Sequence, residues 1–120
     1  STTTLTGTIN VDLLTSAVVY YTIEASGNWV FNIRGSGSQS LNNLMAIGQS
    51  ASIALITTQG SSAKYPTSFT VDGISVSPKW QNAASPLTGN ANSLDVYTYT
   101  IIKTASATWT VLGTQTQFKA

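Results

Sequence analysis

The stretch Leu94-Asp95-Val96-Tyr97-Thr98-Tyr99-Thr100-Ile101-Ile102-Lys103, followed by Thr104-Ala105-Ser106-Ala107 and then Thr108-Trp109-Thr110-Val111-Leu112, decides the fold class. Both arms are rich in β-branched and aromatic residues, which suit a pleated, half-buried surface. The small residues between them carry no apolar anchor and suit the link of an antiparallel hairpin. Tyr97, Tyr99 and Ile101 fall on one side of the first arm, with Val96, Thr98, Thr100 and Ile102 on the other. Neither side is cleanly polar, so this arm is expected to be a central strand covered on both faces. In the second arm Ala107, Trp109 and Val111 alternate with Thr108 and Thr110, which predicts one wet side.

Working outward, Leu5–Leu13 alternates as a half-buried strand, with Leu5, Ile9, Val11 and Leu13 sharing a side with Gly7. A second strand spans Ala17–Glu24, with Val19, Tyr21 and Ile23 on one face. Ala25-Ser26-Gly27-Asn28 is turn chemistry. A third strand, Trp29–Arg34, directs Trp29, Phe31 and Ile33 to one face. Three successive antiparallel strands are expected, as a meander or the start of a Greek key. After Gly35-Ser36-Gly37-Ser38 the period changes, and Ser40–Ile47 predicts a short helix with Ser40 as N-cap and Gly48 as its stop. Ser50–Thr58 returns to strand. Phe69-Thr70-Val71 and Ile74-Ser75-Val76 flank Asp72-Gly73, a strong two-residue hairpin signal. The segment Pro78–Ser93 is the longest irregular one, and a loop of that length in a compact domain is usually functional or an interface. Thr114–Ala120 is read as a tail in which Phe118 serves as an anchor. The sum is an all-β chain, a single antiparallel β-sandwich or jelly roll of about eight to nine strands with one short helix, spanning 1–120 as one domain. The chain lacks a starting Met and a signal-peptide pattern, and is read as a module of a longer protein.

Composition narrows the function. Only 8% of residues are charged, about a third of the usual share, so Ser, Thr, Asn and Gln supply the polarity and self-association is a risk. The net charge of +1 leaves no electrostatic footprint for nucleic acid. No apolar run is long enough to insert into a membrane. Histidine and cysteine are absent, which removes the commonest general base, zinc ligand and thiol nucleophile. Asp12, Glu24, Asp72 and Asp95 are the only carboxylates, and no local motif pairs them as a glycosidase requires. No Ser-x-x-Lys occurs. Gly35-Ser36-Gly37-Ser38 lacks the lysine of a phosphate loop. A calcium site from Asp72, Asp95, Asn90 and Asn92 is conceivable, but such sites want more carboxylates. No enzyme activity, catalytic residue, metal or cofactor is expected.

The aromatics remain. Trp29 and Trp109 lie on apolar sides of strands and read as core. Trp80 sits in Pro78-Lys79-Trp80-Gln81-Asn82 with no apolar periodicity around it. It is either a platform for a sugar ring or a protein contact, or a plug over the open end of the sandwich. Lys79, Trp80, Gln81, Tyr65, Asn90 and Asn92 are therefore the candidate ligand or interface residues, with the role of the 78–93 loop left open between binding site and plug.

The runs Pro78-Lys79-Trp80-Gln81, Gly89-Asn90-Ala91-Asn92-Ser93 and Asp95-Val96-Tyr97-Thr98-Tyr99-Thr100-Ile101-Ile102-Lys103-Thr104-Ala105 resemble a module of virion structural and tail-fibre-like proteins of marine tailed phages, including those of cyanobacteria. Trp29-Val30-Phe31-Asn32-Ile33-Arg34-Gly35, Gly48-Gln49-Ser50 and Tyr65-Pro66 are similar to it as well. The resemblance implies a non-enzymatic structural or attachment module on a virus particle, in a tail fibre, knob or capsid-surface protein. Its partners would be other virion proteins and host surface glycan, and a homotrimer is the expected assembly. It supplies no functional residues to carry over. The alternative from the residues themselves is a small carbohydrate-binding module of a marine microbe, with Trp80 and Tyr65 as stacking platforms.

Overall fold

A computed structural model describes all residues, 1–120. The elements run β1 (Gly7–Asp12), β2 (Val18–Glu24), β3 (Trp29–Arg34), α1 (Leu41–Leu44), β4 (Ser50–Thr58), β5 (Pro66–Val71), β6 (Ile74–Ser75), β7 (Lys79–Trp80), a 3-10 turn at Gln81–Ala83, β8 (Leu94–Ala105) and β9 (Thr108–Phe118). The strands form two packed sheets, a four-stranded one in the order β1-β3-β5-β6 and a five-stranded one in the order β2-β4-β8-β9-β7. No helix is long and apolar enough to cross a membrane.

The fold is therefore β-rich and two-layered, but the sheets are mixed and not purely antiparallel. β1 and β3, β3 and β5, β2 and β4, and β7 and β9 all pair in parallel. The reason is the path of the chain. From β1 to β5 each connection crosses to the opposite sheet, so every second strand returns beside its predecessor pointing the same way. A meander or Greek key would instead have joined β1 to β2 by hydrogen bonds. Antiparallel pairing is confined to β5–β6 and to β4–β8–β9.

Alternation fills the space between the sheets. Ile9, Phe31 and Phe69 are cross-strand partners in one sheet, as are Val11, Ile33 and Val71, and all six are buried. Against them the other sheet presents Ile53, Leu55, Tyr97, Tyr99, Ile101 and Val111. The rings meet edge to face, Trp29 on Tyr97 at 6.0 Å and Phe31 on Tyr99 at 6.1 Å between centroids. Such contacts add about 0.5–1.5 kcal/mol each to the burial term. Trp29 and Trp109 belong to this core, although neither indole N–H finds an acceptor.

The β5–β6 hairpin turns at Asp72 and Gly73 with φ of 51° and 78°, the left-handed pair that a two-residue turn requires. Ser40 caps α1, its Oγ accepting from Asn43 N at 3.1 Å. The helix stops at Leu44, short of the expected Ile47, and Gly48 (φ 90°) serves the following turn. Opposite charges clamp this single turn. The Asp72 carboxylate accepts from Leu41 N (2.7 Å) and Asn42 N (3.0 Å), while Lys103 Nζ donates to the carbonyls of Asn42 (2.7 Å) and Met45 (2.8 Å). That is the polarity a helix end favours.

Three expectations change at β2, β8 and β9. Ile23 does not join Val19 and Tyr21 inside, because a register shift between Tyr21 and Glu24 turns it outward to 44% exposure. The expected tail is a continuation of β9, and Phe118 is 56% exposed rather than an anchor. β8 is central in its sheet, yet only its inner face is covered, and its outer residues remain exposed or half-buried.

Candidate functional site

Two surfaces carry unpartnered chemistry. The first is the outer face of the five-stranded sheet. Register places Tyr20, Ile56, Val96 and Thr116 in one row, and Val18, Ala54, Thr98 and Thr114 in the next. Leu112 and Phe118 lie on the same side of β9. Tyr20, Leu112 and Phe118 are 45%, 44% and 56% exposed. Along β4, β8 and β9 every outward position is aliphatic, aromatic or hydroxyl-bearing, and none is charged. Lys79, opposite Leu112, stands at the rim.

The second surface is a groove at one lateral seam between the two sheets, where the β5–β6 edge faces β7. It encloses about 490 Å³, within the range of about 300–1,000 Å³ usual for small-ligand sites. Trp80 forms one wall, and Phe69 and Tyr99, with ring centroids 4.5 Å apart, form the floor. β7 holds Trp80 by pairing in parallel with Leu112 and Gly113. Its ring lies edge-on to Tyr99 at 5.8 Å and directly over Gly113, where a Cβ would stand 3.0 Å from Trp80 Cζ3. Gly113 is thus the residue that admits the indole.

Trp80 is placed as the plug reading expects, while its binding role is a matter of chemistry and not of position. It is packed against the core, and it remains half-exposed along the groove. Of the other candidates, Gln81 lies in the 3-10 turn and, with Lys79, on the far side of the indole. Tyr65 does not line the groove; its backbone N–H donates to Asn28 Oδ1 at 3.1 Å. Asn92 (φ 56°) turns the chain, its N–H donating to Gly60 O at 2.9 Å.

Asn90 is spent on structure. Its N–H (2.9 Å) and Nδ2 (3.0 Å) donate to the Asp95 carboxylate, which also accepts from Ser93 Oγ (2.8 Å) and Gln59 Nε2 (3.1 Å). Asp95 is fully buried, so these four donors replace its water. They pin the end of the 78–93 loop to β8. The Asp72 carboxylate is held at the start of α1, the turn whose other end is held by Lys103, eight residues further along β8. At about 3.3 Å per residue the two acids sit at opposite ends of β8 and do not converge as a cation site would need. No three acidic groups cluster anywhere. Asp12 is bound by Arg34 Nε at 2.6 Å, and this hydrogen bond raises the guanidinium above its ordinary value.

Sequence reasoning missed Tyr99 as a site residue and Asp95 as a loop anchor. The signal for the second was present. Extending the inward parity of Tyr97, Tyr99 and Ile101 one step each way reaches Asp95 and Lys103, both buried. No protein-family model, curated protein or solved structure matches the chain.

Proposed function

We propose that this chain is a non-enzymatic structural and attachment module of a phage particle, a fibre, knob or capsid-surface domain that packs against neighbouring virion proteins and touches host surface glycan. The observation that carries this reading is the uncharged outer face of the five-stranded sheet. Exposed apolar area of that kind, continuous across three strands and interspersed with threonine, is characteristic of a protein contact surface. The resemblance of Pro78–Gln81, Gly89–Ser93 and Asp95–Ala105, with Trp29–Gly35, Gly48–Ser50 and Tyr65-Pro66, to tail-fibre-like modules supports the same reading. So does the fate of the carboxylates, three of which are committed to an ion pair, a helix cap and a loop anchor.

A homotrimer is the proposed assembly, with localisation on the extracellular particle. The test is sedimentation of the wild type beside Val96→Lys, which sets a charge in the centre of the face. The expected result is a trimer that Val96→Lys converts to folded monomers. A wild type that stays monomeric at high concentration, or a trimer indifferent to the lysine, would overturn the assembly role of this face.

A further inference from the structure

We propose that the groove between the β5–β6 edge and Trp80 binds a neutral saccharide, with an apolar sugar face against the indole and a sugar hydroxyl at Tyr99 Oη. The inference deepens the attachment half of the function proposed above and rests on it; the assembly half stands or falls separately.

Tyr99 is the deciding residue. It is 1% exposed, yet it lines the groove, and its hydroxyl makes no hydrogen bond to any protein group. That hydroxyl is also absent from the polar atoms sealed off without a partner, so it keeps a trace of solvent access in a residue that lines the groove. A buried phenol with an unpartnered hydroxyl in the lining of a cleft is suited to receive a ligand group. Burial raises the phenol well above its ordinary value, so it stays protonated and can both donate and accept.

The rest of the lining selects the class of ligand. None of the groove residues is charged, so a carboxylated or sulfated sugar would be desolvated there without a counter-ion. Ser68, Ser75, Ser77 and Ser85 edge the groove, and none of their hydroxyls is bonded within the protein. An alkyl ligand would strip those hydroxyls of water and return no hydrogen bonds. A neutral polyol returns them, and its C–H face suits Trp80.

The experiment displays the protein to an array of neutral hexose-terminated glycans beside matched sialylated and sulfated ones. The best neutral oligosaccharide is then titrated in solution while the indole N–H signals are followed by NMR. Expected are binding to at least one neutral glycan and a shift of the Trp80 indole signal, with those of the buried Trp29 and Trp109 unmoved. Tyr99→Phe, which keeps the ring and removes only the hydroxyl, should weaken binding about three- to tenfold, the loss of one hydrogen bond, without lowering the melting temperature. Trp80→Ala should abolish it. Tyr20→Ser, on the outer sheet face, should leave the affinity unchanged whatever it does to assembly. Binding of acidic glycans alone, binding of none, or neutral binding that survives Tyr99→Phe and Trp80→Ala would overturn the proposal. Because Tyr20→Ser reports on assembly and the two groove variants on the ligand, either half of the function can fail without the other.

Discussion

The two lateral seams between the sheets solve one problem with opposite materials. At the β1–β2 seam the sheets part around a cleft of about 570 Å³ that contains Asp12 and the N-terminal residues. The strap Ser1–Thr4 crosses it, Ser1 N donating to Tyr20 O at 2.5 Å and Thr22 N to Ser1 O at 3.0 Å. At the β5–β7 seam the edges are two-residue strands, and an indole and a pinned loop do the closing. Each seam places a buried tyrosine at its cleft, Tyr21 in one and Tyr99 in the other. Tyr21 has the carboxylate of Asp12 for company, while Tyr99 has rings and serines. The first seam carries a charge; the second is uncharged and keeps hydroxyls in reserve. Short edge strands also deny neighbours a template for pairing, so the β5–β7 seam is a poor docking edge for another strand.

The largest expected effect follows from this contrast. Phe69→Ala removes the floor of the β5–β7 seam at a site 2% exposed, and should cost about 3–5 kcal/mol. Val19→Ala, at the half-buried wall of the other seam, should cost about 1 kcal/mol. Urea unfolding of both variants measures the difference, and equal losses would show that the seams are equally packed. Next comes Asp95→Ala, which strands four donors at up to about 1–3 kcal/mol each; with water entering to satisfy some, about 3 kcal/mol is expected. Its distinctive outcome is faster amide exchange at Asn90 and Ser93 while β1 and β3 keep their protection. Uniform loss of protection would mean that the loop anchor is inseparable from the core. Gly113→Ala should cost about 1–3 kcal/mol by overpacking, since the new methyl displaces Trp80. The Trp80 emission should shift towards that of a water-exposed indole.

Much of this molecule was legible as alternation. Trp29, Phe31 and Ile33 announced the inner face of β3, and the aromatic arms announced the β8–β9 hairpin, because a period of two marks faces directly. Asp72-Gly73 and Ser40 were legible because turn and cap chemistry is local. Parallel pairing was not, since Ile9 and Phe31 look the same whether their strands run together or opposed. Which sheet a strand joins depends on where the preceding loop crosses, and Leu13–Ala17 carries no residue that encodes that crossing. The groove was half legible. Trp80 stood out for lacking periodic neighbours, but Tyr99 was hidden by being a good core residue. Only the placement of β7 over Gly113, more than thirty residues away in sequence, brings the two together.

The smallest expected effect separates the tyrosines by their surroundings. Tyr21 is pushed up to about 12, chiefly by burial and secondarily by the negative charge of Asp12, whereas Tyr99 is raised by burial with only Tyr97 beside it. An unfolded tyrosine ionises near 10. A raised value in the fold therefore contributes stability that is intact below about pH 10 and is lost as pH climbs towards the folded value. Both seams should weaken over that alkaline range. Asp12→Asn removes one of the two causes at Tyr21 and none at Tyr99. It should move phenolate formation at Tyr21 modestly towards lower pH and leave Tyr99 protonated until the fold opens, as followed by the ring signals of each tyrosine through an alkaline titration. Tyr99 titrating in step with Tyr21 would mean that water reaches both clefts alike, and the distinction between a self-closed seam and an open one would be lost.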